Sequence, residues 1–182
     1  MIKSSIYSIG HGNKDLKTLI EELNSFNIEY VFDVRSKPYS KFYPQYNKNS
    51  LEIDLASEGI TYVFLGNYLG GLPDDITCYI DGKVQYNLVR EKSFFQAGIN
   101  LLIDANKENL TVALLCSETK PEDCHRCKLI GQEMLLYKIS VQHIISTHKV
   151  KKQEKVFEEI TKGKNTSNLF GEETNFTSKK NY

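Results

Sequence analysis

Ser5-Ile6-Tyr7-Ser8-Ile9-Gly10-His11-Gly12-Asn13 sets the pattern from which the fold is read. Residues 5–9 read as a short buried strand, and residues 10–13 as the turn that ends it. Leu16, Leu19, Ile20, Leu23 and Phe26 then recur at helical spacing, with Asn13 the expected cap. The unit repeats downstream. Residues 29–34, 61–65, 110–115 and 141–146 read as the second to fifth strands. A helix is expected over residues 50–58. Leu88, Phe95, Ile99 and Leu102 mark one face of a long helix. Pro121 suits the first turn of another helix, where its missing N–H does little harm, and Glu122 and Asp123 favour the same turn electrostatically. The irregular stretch after residue 71, to about residue 85, is expected to form a lid or excursion.

Strands that alternate with helices imply parallel βαβ units. The expected fold is therefore α/β, a Rossmann-like three-layer domain over residues 1–148 with a mainly parallel five-stranded sheet. Residues 149–162 read as a terminal amphipathic helix around Phe157 and Ile160. Residues 163–182 read as a mobile polar tail.

The bulk composition narrows the partners. The chain has 182 residues, 40% hydrophobic, which suits one domain with a proper core. Its 23 basic and 23 acidic residues balance, which argues against a whole-molecule grip on nucleic acid or an anionic membrane. No apolar run is long enough to span a bilayer, so no membrane partner is expected. The first residues lack the apolar core of a leader. Cys78, Cys116, Cys124 and Cys127 are too few and too unevenly spaced for a disulfide framework. A cytoplasmic location is the expectation.

In open α/β sheets ligands sit beyond the carboxyl ends of the strands. Here those segments are residues 11–13, 35–48, 66–71, 116–126 and 147–148. The chain writes Lys almost everywhere, yet two of its three arginines, Arg35 and Arg126, fall in these loops. An arginine fork holds a phosphate or carboxylate through two parallel hydrogen bonds, and both are candidate ligand-binding residues. Asp33 and Glu118 are candidate general acids and bases, and equally candidate anchors for the arginines. His11 and His125 are candidate proton carriers. Residues 37–48 interleave Lys37, Lys41 and Lys48 with Tyr39, Phe42, Tyr43 and Tyr46 and carry no acid. That composition suits base stacking along a phosphate backbone, with Tyr39 and Ser40 as ligand contacts, or a loop that folds its rings inward. Gly10, Asn13, Gly70 and Gly71 are placed for backbone contact with a ligand. They match neither a dinucleotide fingerprint nor a phosphate loop, and no cofactor is expected. Cys124 and Cys127 form a C-x-x-C, but no second pair stands at ligand spacing, so no metal site is expected. Cys116, between a strand and a helix, reads as a ligand-contacting or buried thiol.

Several of these segments together resemble the domain of unknown function family 488. They are Ser8-Ile9-Gly10-His11-Gly12-Asn13, Asp33-Val34-Arg35-Ser36-Lys37-Pro38-Tyr39-Ser40, Leu69-Gly70-Gly71, and Leu115-Cys116-Ser117-Glu118 running on to Cys124-His125-Arg126. The family usually has Ser at the position of Gly12. The resemblance implies a Rossmann-like fold and carries no agreed reaction. Cys116 with Asp33-Val34-Arg35 also resembles the rhodanese sulfurtransferases. Asn168-Leu169-Phe170 looks like a docking peptide without its leading Gln, with Leu169 and Phe170 as the contact residues. Three functions follow as expectations. The first is a protein that binds a phosphate-bearing ligand, a nucleotide or nucleic acid, as a hydrolase or transferase would. The second is a cysteine-dependent, sulfurtransferase-like enzyme. The third is a non-catalytic interaction module.

Overall fold

The computed structural model describes residues 4–163 and 175–182. Leu169 and Phe170 lie outside the described residues. β1 (Ile6–Gly10) leads into α1 (Leu16–Asn24), β2 (Tyr30–Asp33), α2 (Lys48–Ser57), β3 (Thr61–Phe64) and the short α3 (Gly66–Leu69). A small hairpin of β4 (Tyr79–Ile80) and β5 (Lys83–Val84) occupies the excursion. α4 (Tyr86–Arg90), α5 (Ser93–Lys107), β6 (Val112–Cys116), a π-helical turn (Arg126–Gly131), α6 (Gln132–Leu136), β7 (Gln142–Ser146), β8 (Lys149–Lys152) and α7 (Gln153–Thr161) follow. No helix among the described residues is long and apolar enough to cross a membrane.

The main sheet runs β3-β2-β6-β1-β7-β8 and is parallel except at the β7–β8 edge. The α/β Rossmann-like architecture is as the strand pattern implies, with six strands rather than five. The extra strand comes from residues read as the start of the terminal helix. His148 takes a left-handed φ of 59°, the chain reverses, and β8 pairs with β7 before α7 begins at Gln153. The lysines of β8 hid the strand from a hydrophobic pattern. They also blunt the edge against pairing with another chain.

Period-two alternation sends side chains to two cores. Ile6, Phe32, Val34, Val112 and Leu114 pack with Phe95, Ile99 and Leu102 of α5 on one face. Ile9, Val31, Ala113 and Leu115 pack with Leu19 and Leu23 of α1 and Leu51 and Leu55 of α2 on the other. Each such fully buried side chain contributes about 1.5–3 kcal/mol. Two local expectations change. Asp15, not Asn13, caps α1, because its carboxylate accepts from the Thr18 N–H at 2.7 Å. The long helix through Leu88 and Phe95 is two helices, broken between Arg90 and Ser93.

β6 lies between β1 and β2, so three carboxyl ends stand side by side. Gly10 is in register with Cys116, and Asp33 with Leu115. The ladder runs on past the strands: His11 N donates to the Cys116 carbonyl and Gly12 N to the Ser117 carbonyl, both at 3.0 Å. This holds the loop after β6 against the loop after β1.

The polar end of the chain was expected to be mobile. Residues 175–182 return to the body. Ser178 N donates to the Val84 carbonyl at 3.0 Å, and the buried Ser178 hydroxyl accepts from Val84 N. Tyr182 N donates to the Gly82 carbonyl at 2.7 Å. The exposed edge of β5 offers the backbone partners that a composition-based reading does not see.

Candidate functional site

Two polar clusters form at the carboxyl ends of the central strands, one on each face of the sheet. Asp33 alternates with Phe32 and Val34 and therefore points away from their core. It is fully buried. Its carboxylate accepts from Arg35 Nε at 2.8 Å, from Arg35 Nη2 at 2.5 Å, from the Arg35 backbone N–H at 3.0 Å and from the Tyr62 hydroxyl at 2.6 Å. The Arg35 fork is thus filled by Asp33. Its remaining Nη1 lies 3.4 Å from His11 Nε2. His11 donates from Nδ1 to the Gly12 carbonyl at 2.9 Å and stacks on the buried Tyr46 ring at 4.1 Å. Burial, with Arg35 and Arg126 nearby, lowers its pKa to about 4, so His11 is neutral at ordinary pH. The arrangement makes Asp33 and His11 positioning groups for Arg35.

The second cluster is built by Cys116, at the end of β6, and by Cys124, His125 and Arg126. Residues 121–123 form a single 3-10 turn with Pro121 at its start. Cys124 then takes an extended conformation (φ −114°, ψ 148°), and the helix resumes with π-type bonding at Arg126. This break separates the two cysteines of the C-x-x-C. Cys124 faces Cys116, whereas Cys127 turns to Gln153, whose amide donates to the Cys127 carbonyl at 3.1 Å. Burial pushes the Cys127 thiol up to about 12.

Arg126 is 1% exposed and does not line the cavity. Its Nε donates to Cys124 Sγ at 3.1 Å, its Nη1 to the Ser8 hydroxyl at 3.3 Å and its Nη2 to the Glu118 carbonyl at 2.6 Å. The Arg126 guanidinium is thus engaged by protein partners and stands outside the cavity. Both arginines have protein partners, and Arg35 reaches the edge of the cavity over the second cluster as well. Ser8 passes the chain of bonds to His143, since its hydroxyl and His143 Nδ1 are 2.6 Å apart. His143 Nε2 then meets the Gln153 carbonyl oxygen at 2.7 Å.

Glu118 Oε2 lies 2.7 Å from Cys116 Sγ and 3.3 Å from Cys124 Sγ. His125 Nδ1 lies 3.7 Å from each sulfur, and its Nε2 is 3.0 Å from the Val34 carbonyl. A carbonyl only accepts, so Nε2 carries the proton and Nδ1 is left facing the sulfurs. Burial opposes ionisation of Cys124, but the hydrogen bond from Cys116 and the Arg126 charge outweigh it and hold that thiol well below its ordinary value. Burial and the neighbouring Cys124 and Glu118 push Cys116 up. Burial would lower the His125 pKa, and the Cys124 charge more than offsets that, raising it. The four donor atoms of Cys116, Glu118, Cys124 and His125 lie within 4.8 Å of one another.

Two glycines make room for this packing. A Cβ on Gly10 would stand 1.9 Å from the Glu118 carbonyl oxygen, and one on Gly71 would stand 2.9 Å from the His125 ring. Gly70 is likewise close to Ser36, at 2.4 Å from its hydroxyl. The glycine pair thus serves close approach within the protein.

A cavity of about 520 Å³ opens over the second cluster. Cys116, Glu118 and His125 line it, together with Arg35, Lys37, Gly71 and Lys120. Tyr86, Ser178, Lys179, Lys180 and Tyr182 close the remaining wall. These last five residues were not anticipated, because contacts between segments far apart in the chain leave no local pattern. Gly10, Asn13, Tyr39 and Ser40 stand outside this cavity. Ser40 organises its own loop, accepting from Phe42 N and Tyr43 N at 3.2 Å each. That loop divides its rings. Tyr46 is buried, while Tyr39 is 69% and Phe42 88% exposed. Tyr39 lines a second, shallower cavity of about 430 Å³ with Lys48, and Lys37 borders both.

A family model described as "Domain of unknown function DUF488" matches residues 15–131, from the cap of α1 to the end of the π-helical turn. No curated protein and no solved structure matches the chain.

Proposed function

The chain belongs to the DUF488 family, and from that premise we propose that the larger cavity binds a small phosphate-bearing ligand above the thiol cluster. The charge of the wall carries this reading. Lys37, Lys120, Lys179 and Lys180 line it against only Glu118 and Asp123, beside an Arg35 whose charge Asp33 already meets, in a chain whose net charge is zero. A concave, low-dielectric wall of one sign concentrates oppositely charged ligands. Lysines act as mobile point charges and suit a phosphate that keeps part of its water shell. Exposed Tyr39 lines the neighbouring cavity, which Lys37 also borders, and it favours a nucleotide among such ligands because a base can stack there.

A thermal-shift screen of nucleotides, sugar phosphates and inorganic phosphate tests the reading. A ligand at a hundredfold its dissociation constant stabilises by about 2.7 kcal/mol. At least one phosphate-bearing compound is expected to raise the melting temperature, and charge reversal by Lys37→Glu with Lys120→Glu is expected to remove the shift. If no such compound shifts the protein, or the reversed variant responds as the wild type does, the proposal fails.

A second reading rests on a separate observation. Cys116 lines the cavity beside Cys124, a thiol that Cys116 and the Arg126 charge hold below its ordinary value, and a sulfurtransferase-like thiol would sit in such a place. Attack by Cys116 needs its proton to pass to Cys124 or Glu118. This predicts alkylation of Cys116 at neutral pH well above the rate of a model thiol, read by peptide mass mapping. A rate no faster than the model thiol excludes it.

A further inference from the structure

We infer that Cys116, Cys124, His125 and Glu118 form a site for a divalent metal ion of the zinc class. The inference does not depend on which anion the cavity takes. The case begins with donor type. Two thiolates, an imidazole and a carboxylate are a borderline-soft set that zinc accepts in tetrahedral geometry. The spacing agrees. With Zn–S of about 2.3 Å and Zn–N or Zn–O of about 2.0–2.1 Å, the S···N and S···O edges of a tetrahedron are about 3.6 Å. His125 Nδ1 stands 3.7 Å from both sulfurs, and Glu118 Oε2 stands 3.3 Å from Cys124 Sγ. Of these four edges the Cys116–Glu118 edge, at 2.7 Å, is the shortest. It opens by about 0.9 Å to reach the tetrahedral value. Glu118 is exposed and can swing, whereas the other three donors are buried.

The surrounding bonds are those that a metal ligand set requires. The Val34 carbonyl holds the proton on His125 Nε2 and leaves Nδ1 as the lone pair facing the sulfurs. Arg126 Nε donates to Cys124 Sγ. Charge also closes: two thiolates and one carboxylate are met by the divalent ion and Arg126. Binding releases to solvent whatever protons the two sulfurs carry. Cys127 and Cys78 play no part, the first facing Gln153 and the second buried behind the hairpin. The sequence expectation of no metal came from looking for paired cysteines at finger spacing. The fold instead draws ligands from the end of β6 and from the extended residue before the π-helical turn.

Three buried donors and one exposed, cavity-lining carboxylate resemble a catalytic more than a structural site. Glu118 occupies the position that an incoming ligand would take. A metal there would act as a Lewis acid on an anion held by the lysine rim.

The test uses the full chain, kept reduced with a phosphine, stripped of metal and titrated with Zn2+ against a chromophoric chelator. One equivalent is expected to bind. Co2+ in its place should give thiolate-to-metal charge-transfer absorption and intense tetrahedral bands. Cys116→Ser and Cys124→Ser should each weaken Zn2+ by more than about 100-fold, since even outer-shell changes cost 10–100-fold. Glu118→Ala should weaken it less, and Cys78→Ser and Cys127→Ser should leave it unchanged. Well under one equivalent in the wild type overturns the inference. So does a Co2+ complex without thiolate absorption, or a Cys127→Ser loss as large as that of Cys124→Ser. The wild-type Co2+ spectrum decides the matter even if a cysteine variant does not fold. Phosphate-ligand binding by the stripped protein is measured separately, so failure of the metal site and failure of the anion site are told apart.

Discussion

Asp33→Ala lowers the unfolding free energy by about 3–5 kcal/mol, because it leaves Arg35 buried without its counter-charge. The Asp33 carboxylate accepts four hydrogen bonds, three of them from Arg35 and one from Tyr62. No other carboxylate is bonded to Arg35 among the described residues. Tyr62→Phe removes one neutral donor to the same carboxylate and is expected to cost about 1.5–3 kcal/mol. The two changes share a partner, so their effects should fall short of additivity in the double variant. Urea denaturation of the four proteins measures both quantities. A loss below about 1 kcal/mol for Asp33→Ala would mean that Arg35 finds solvent on its own. The Arg35 charge would then be met from the cavity, which it already borders, rather than by Asp33.

Acid is expected to destabilise the protein through His143. The residue is fully buried between Ser8 and Gln153. Burial first, and then the charge of Arg126, lower its pKa to about 4 from the ordinary 6.5. The folded pKa lies below the unfolded one, so between these values the unfolded chain binds the extra proton. Stability is therefore complete above about pH 6.5 and is lost as pH falls toward 4. The difference of 2.5 pH units corresponds to about 3 kcal/mol at most. His11, also lowered to about 4, adds to the same window. His143→Gln keeps an amide that can bond Ser8 and Gln153 but does not titrate. Its stability at neutral pH falls, while its slope between pH 6.5 and 4 should be shallower than that of the wild type. Equal slopes would show that His143 takes up its proton without loosening the fold.

The alternation of strand and helix was legible because apolar periodicity is local, and it correctly places the loops after β1, β2 and β6 together. Cys116, Glu118, His125, Arg35 and Lys37 do line one cavity. Partnership was not legible. Whether Arg35 and Arg126 share a ligand depends on which face of the sheet each enters, and a loop residue has no period to reveal that. The role of Cys124 was hidden for a related reason. A C-x-x-C read as continuous helix puts both sulfurs on one side, and the extended backbone of Cys124 breaks that geometry. β8 was missed because three lysines in four residues mask a strand whose pairing is backbone-driven. The wall formed by residues 178–182 comes from a polar segment whose one core contact, Phe176, stands alone and sets no period.

The bonds from Arg126 through Ser8 and His143 to Gln153 and the Cys127 carbonyl run through the interior in one direction. Arginine only donates and the carbonyl only accepts, so the polarity of every group between them is set by the two ends. A change at position 8, 143 or 153 that removes the polar side chain strands a buried donor or acceptor. Among diverging relatives these positions should accordingly be inherited as a block with position 126, replaced together or kept together. That would be a covariation signature stretching from the first strand to the last helix.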